Sequence, residues 1–198
     1  APAVIFDSEG KTPLNALDFR FDWDQRVFRP DVGAVDGWNT EATYTRMGGA
    51  LGGDLDLNKV ELSFGIFETI FEETDNLRHV LAFKNNFGVV DSYGDSSFVP
   101  IFERYYLGGP RSLRGFDYLG AGPAENGFET GGAVRHFGTL EYSWPLVGSN
   151  IRGTFFADFG NLAEDIDNFR LAEYRVGMSG GIILSIQLIG QKMQVAVT

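Results

Sequence analysis

Alternation of apolar and polar residues is the feature that most constrains the fold of this chain of 198 residues. In the stretch ALDFRFDWD, every second residue is apolar, and the residues between them are aspartates and one arginine. A β-strand places successive side chains on opposite faces, so this pattern predicts a strand with one apolar and one charged face. The apolar face carries Leu17, Phe19, Phe21 and Trp23.

Seven further segments also read as strands, with weaker alternation in WNTEATYTRM, and no segment between them has the helical period. The eight predicted strands are residues 16–24, 38–47, 60–71, 79–90, 138–146, 151–161, 174–190 and 192–198. The pair Asp75–Asn76 is predicted to close the hairpin between the third and fourth of them. Antiparallel up-and-down order is the simplest topology for such a series. The sequence therefore predicts one all-β domain over residues 1–198.

Two kinds of all-β protein produce this alternation: a soluble sandwich or lipocalin-like barrel, and a transmembrane β-barrel. No apolar run approaches the roughly 20 residues of a membrane-spanning helix, whereas a spanning strand needs only about 9 to 11. Aromatic residues near the strand ends favour the membrane barrel, because such barrels carry aromatic girdles at both membrane interfaces. The predicted interface residues are Trp23, Trp38, Tyr142 and Trp144.

Composition and short motifs exclude several other functions. The net charge of −11 argues against a nucleic-acid partner, and the absence of cysteine excludes disulfides and thiolate metal sites. His79 and His136 lack a third metal ligand at suitable spacing, so neither a metal nor a cofactor is expected. The GKT at Gly10 to Thr12 lacks the first glycine of a phosphate-binding loop. The chain start lacks the features of a signal peptide, so a mature end or an excision point is expected.

One long loop stands out from the strands, with the sequence RYYLGGPRSLRGFDYLGAGP at residues 104–123. Gly108 and Gly109 permit positive φ angles and close backbone approach, and Arg114 offers a planar fork of donors suited to carboxylates. Glu141 and Asp158 fall on the polar faces of the two strands that follow. These carboxylates suit either a paired-carboxylate hydrolase or a structural clamp around an arginine.

The loop and the strands after it, GTLEYSWPLVG, RGTFFADFGNL and VGMSGGIILSI, resemble the BamA-type outer-membrane assembly factors, also called the bacterial surface antigen family. The resemblance runs from about Leu17 to the C-terminus. It implies that Arg114, Gly115 and Phe116 form the tip of a loop that folds back into the barrel lumen. Glu141 and Asp158 would be the acidic partners of the arginine.

The resemblance also implies a function and a location. Members of this family are non-enzymatic proteins of the bacterial outer membrane that fold and insert other outer-membrane β-barrel proteins. The implied partners are the lipid bilayer or detergent, client barrel proteins and subunits of an assembly complex. A stand-alone pore or structural barrel is the alternative.

Family barrels have sixteen strands preceded by periplasmic domains, and this chain corresponds to the eighth to fifteenth strands with no periplasmic domain. Eight strands could close into a small barrel, which should expel or flatten the segment Arg104 to Pro123 because the lumen would be filled. The alternative is a half-barrel, which must pair its open edges with further sequence or with another copy.

Overall fold

The computed structural model describes residues 2, 12–30, 32–73, 77–148, 150–188 and 191–197. Every predicted strand is present, and the structure adds a short strand and a small hairpin that the alternation did not reveal. The turn predicted at Asp75–Asn76 and the first two residues of GKT lie outside the described residues. The strands are β1 (Ala16–Asp24), β2 (Val27–Arg29), β3 (Gly33–Met47), β4 (Leu57–Glu72), β5 (Arg78–Ser92), β6 (Ala124–Glu125), β7 (Phe128–Glu129), β8 (Val134–Val147), β9 (Ile151–Ala163), β10 (Arg175–Leu188) and β11 (Gln191–Val197).

The eight long strands form one antiparallel sheet in chain order, β1-β3-β4-β5-β8-β9-β10-β11, and β2 adds to β3. This order confirms the predicted up-and-down topology. Among the described residues β1 pairs only with β3 and β11 only with β10, so both edges of the sheet are free. A closed ring is not seen in this part of the chain, and closure remains a prediction.

The two faces of the sheet differ as the alternation predicts. The outer face exposes its apolar side chains, whereas the inner face carries the charged and hydroxyl residues. A soluble sandwich would cover the apolar face with a second sheet, but the only other sheet in the described residues is the hairpin β6–β7, whose two strands have two residues each. A continuous exposed apolar face of this kind is suited to lipid. Exposed apolar residues on it include Leu17, Phe19, Phe21, Leu62, Ile66, Leu140, Phe155 and Met178.

The connections divide into a short-turn end and a long-loop end. The C-terminal ends of β1, β4, β8 and β10 lie at the short-turn end, and the long-loop end joins its strands through residues 48–56, 93–133 and 164–174. Outer-membrane barrels have the same asymmetry, with short periplasmic turns and longer extracellular loops. Helices contribute only two 3₁₀ turns, Gly49–Leu51 and Leu171–Glu173, and no helix among the described residues is long and apolar enough to cross a membrane.

The buried core lies at the long-loop end, between the strand ends and the loop of residues 93–133. Leu107 and Leu113 from this loop are fully buried and pack with Leu57 of β4 and Val90 of β5. Phe116 is partly buried against the same cluster. The loop is therefore a packed part of the fold that lies on the inner face, not a mobile surface excursion.

Candidate functional site

The loop of residues 93–133 is tied down at its base before its tip reaches the sheet. Tyr105 and Gly132 exchange two backbone hydrogen bonds, of 2.8 and 2.9 Å, so the two halves of the loop run antiparallel. Tyr105 packs directly over Gly88 of β5, where an added Cβ would lie 2.6 Å from the ring. Burial raises the pKa of the Tyr105 phenol above its ordinary value. These contacts leave the intervening residues to form a compact tip.

Three glycines with positive φ angles lie in the tip. Gly108 has a φ of +112°, and an added Cβ there would lie 2.4 Å from the carbonyl oxygen of Asp117. Gly109 and Gly115 have φ values of +93° and +89°. The Ser112 hydroxyl accepts a hydrogen bond from the Gly108 amide and donates one to the Gly108 carbonyl, both at 3.1 Å. This turn sets the direction in which the next arginine projects.

Arg114 meets Asp158 of β9 in a bidentate ion pair. The guanidinium donates from Nε to Oδ2 at 2.7 Å and from Nη2 to Oδ1 at 2.8 Å, and the Arg114 backbone N–H donates to Oδ2 at 3.1 Å. Thr139 of β8 donates its hydroxyl to Oδ1 at 2.8 Å. The Asp158 side chain is wholly buried and that of Arg114 is 20% exposed. Such charge-assisted, bidentate geometry is the strong form of this interaction.

Two residues that were not predicted as site residues complete this contact. The Arg114 guanidinium lies 3.1 Å from the ring centroid of Phe156, two residues before Asp158 on the same inner face. Gly177 of β10 pairs with Asp158 in the sheet, and an added Cβ there would lie 2.3 Å from the Arg114 carbonyl oxygen. The loop backbone therefore lies directly against β10. An aromatic residue on a polar face and a glycine within a strand are the signals that could have indicated both.

Glu141 does not join the Arg114 contact among the described residues. Its carboxylate lies 3.5 Å from the Nζ of Lys84 on β5, and it lines the cavity beside the loop tip. In the sheet Glu141 pairs with Phe156, and this pair lies two residues along the strands from the Thr139–Asp158 pair. The expected arginine with two acidic partners is thus seen as one arginine with one aspartate.

The four predicted interface aromatics gather at the short-turn end. Trp23 and Trp38 lie 5.5 Å apart between ring centroids, and Tyr142 stacks on Trp144 at 5.3 Å. Trp23 is 49% exposed, and the Tyr142 hydroxyl contacts Nδ1 of His79 at 2.6 Å. All four occupy the same end of the outer face, so they would form one girdle. Their contact with a membrane interface remains a prediction.

Comparisons with known proteins agree with this architecture. A family model described as the Omp85 superfamily domain matches residues 3–188. The outer membrane protein assembly factor BamA of Nitratidesulfovibrio vulgaris (strain Hildenborough) is 35% identical over 149 residues, which are 73% of this chain and 17% of that protein. The crystal structure of BamA from Haemophilus ducreyi lacking POTRA domains 1–3 has a similar fold, with a TM-score of 0.66 and 23% identity.

The coverage of these matches is unequal. The structural match spans 91% of this chain and 38% of the Haemophilus ducreyi chain, so the chain spans well under two thirds of either relative. The family match includes the strands of the sheet up to β10 and the whole loop 93–133. The family and the relative confirm the predicted location in the bacterial outer membrane. The chain belongs to the Omp85 superfamily.

Proposed function

We propose that this chain is the C-terminal part of a barrel that folds and inserts other β-barrel proteins into the outer membrane. The observation that carries this proposal is the buried clamp between Arg114 and Asp158, which fixes the loop tip on the inner face of the sheet. The name of the Nitratidesulfovibrio vulgaris relative, an outer membrane protein assembly factor, supports the same function.

Burial of the Arg114–Asp158 ion pair costs desolvation free energy, which argues that the docked loop has a function. Burying a carboxylate and a guanidinium together removes both from water, and the pair regains that free energy only with near-ideal geometry. A stand-alone pore needs an unobstructed inner face, and a loop fixed across that face reduces the opening. The docked loop therefore favours an assembly factor over a simple pore.

The same geometry favours a non-enzymatic role. Asp158 accepts four hydrogen bonds and has no exposed surface, and Glu141 forms an ion pair with Lys84. A carboxylate held ionised by a bidentate arginine is a poor general acid, because its charged form is strongly favoured. Asp158 therefore lacks the freedom that hydrolysis by a carboxylate pair requires.

Completion of the barrel is the second part of the proposal. In lipid, the unpaired N–H and C=O groups along β1 and β11 must find partners. We infer that the strands shown here correspond to the eighth to fifteenth of a sixteen-stranded ring, with the edges paired by further family-type strands or by a second copy. The client barrel proteins and assembly-complex subunits would be those of the complete family member.

Insertion of a client barrel protein into lipid vesicles tests the function. The protein carrying Arg114→Ala should fold the client at least about tenfold more slowly, because removing one partner of a buried pair costs about 3–5 kcal/mol. Arg29→Ala, which removes an exposed arginine from β2, is the matched control and should keep the full rate. An unchanged rate in Arg114→Ala, or steady ion conductance without insertion, would refute the proposal.

A further inference from the structure

A cavity of about 450 Å³ lies between the tip of loop 93–133 and the inner face of the sheet. Pro110 to Ser112 form its loop side, and residues of β3, β4, β5 and β8 form its wall. This loop-tip cavity has the volume of a typical ligand site. The Arg114–Asp158 clamp holds the loop side in place but does not fill the cavity.

The charge of the loop-tip cavity is opposite to that of the chain. Among the described residues, its lining includes Arg26, Lys84, Arg111 and Arg114 and one carboxylate, Glu141, in a chain whose net charge is −11. Concave surfaces lined by one sign of charge focus the field and attract ligands of the opposite sign. The cavity is therefore suited to an anionic ligand.

Two of these four cations are already committed to the fold. Arg26 holds Asp24 through contacts of 2.6 and 2.9 Å, and Arg114 holds Asp158. Lys84 is 48% exposed and its Nζ lies 3.5 Å from the Glu141 carboxylate, a long distance for an ion pair, so this contact holds Lys84 weakly.

Arg111 is the second cation of the cavity that is open to a ligand. Its side chain is exposed and forms no ion pair or hydrogen bond with any residue in the described part of the chain. Lys84 on the wall and Arg111 on the loop therefore remain available to a ligand.

The two cations lie on different parts of the fold, Lys84 on β5 and Arg111 on the loop tip, and this placement indicates the class of ligand. Phe67, Phe137 and Asn39 also line the cavity. A small oxyanion would need its donors clustered at one point, whereas a peptide can offer separate carboxylates together with apolar and amide groups. We propose that the loop-tip cavity binds an acidic peptide segment, with Arg111 and Lys84 each holding a carboxylate.

This inference does not depend on the insertion activity, because binding is measured without a client barrel protein. A fluorescent hexaglutamate peptide is titrated into the protein in neutral detergent, and fluorescence anisotropy reports the affinity. Arg111→Gln and Lys84→Gln should each weaken binding about tenfold, which is the loss of one charge-assisted hydrogen bond. Arg29→Gln removes the same charge outside the cavity and should leave the affinity unchanged.

The Glu141→Gln variant should change the affinity for the acidic peptide in the opposite direction. It removes the Glu141 carboxylate from the cavity lining and releases Lys84, so the acidic peptide should bind more tightly. A neutral hexaglutamine peptide should not bind, and inorganic phosphate at the same concentration should not displace the acidic peptide. Equal loss in Arg29→Gln and Arg111→Gln would show non-specific attraction, and displacement by phosphate would show a simple oxyanion site. Either result would overturn the proposal.

Discussion

Breaking the Arg114–Asp158 pair should release the loop tip from the sheet. Arg114→Ala leaves the Asp158 carboxylate fully buried, with only the Arg114 backbone N–H and the Thr139 hydroxyl as donors. Breaking a buried pair by removing one partner costs about 3–5 kcal/mol. We expect a value near 3 kcal/mol, because these two neutral donors remain. The stacking of Arg114 on Phe156 is also lost.

Loop opening can be measured directly because the chain contains no cysteine. Leu113 is fully buried beside the clamp, so Leu113→Cys gives a thiol that reacts with a labelling reagent only when the tip opens. The labelling rate gives the free energy of opening for this background alone and for Arg114→Ala, Asp158→Ala and the double variant. Opening should be easier by about 3 kcal/mol in Arg114→Ala, which is more than a hundredfold faster labelling.

The double variant decides whether the ion pair itself is the cause. With both partners gone no uncompensated charge is buried, so the double variant should cost at least about 2 kcal/mol less than the sum of the single variants. Additive costs, with a coupling below about 0.5 kcal/mol, would refute the clamp. So would equal labelling rates in all four proteins.

Two further pairs of substitutions test the geometry around the clamp. Gly177→Ala should loosen the tip, since its Cβ would lie 2.3 Å from the Arg114 carbonyl oxygen, while Gly180→Ala on the same strand, where the nearest atom lies 3.3 Å away, should not change the labelling rate. A labelling rate in Gly177→Ala equal to that of Gly180→Ala would contradict the close approach of loop and strand.

Asp158→Asn should lower the free energy of opening by about 1.5–3 kcal/mol, because the charge that strengthens its hydrogen bonds is lost. Glu141→Gln should change the free energy of opening by less than about 1 kcal/mol. Equal effects of these two variants would instead support a shared role of both carboxylates in holding Arg114.

The strands were predictable because their information is local. In β1 the alternation of Phe19 and Phe21 with Asp18, Arg20 and Asp22 specifies two faces without reference to any other part of the chain, and the same holds for each long strand. β2 and the hairpin β6–β7 were missed because two or three residues are too few for a period to show. Their positions come from pairing with residues elsewhere in the chain.

The sequence by itself determined the two-faced strands, their up-and-down order and a glycine-shaped loop that carries an arginine. Only the tertiary structure decided which carboxylate that arginine meets. Asp158 lies under the loop tip because the register of β8, β9 and β10 sets Thr139, Asp158 and Gly177 side by side. Glu141 lies two residues further along β8 and forms its ion pair with Lys84. The physical reason is that alternation fixes the face of a side chain, while strand register and loop packing fix its neighbour across the face.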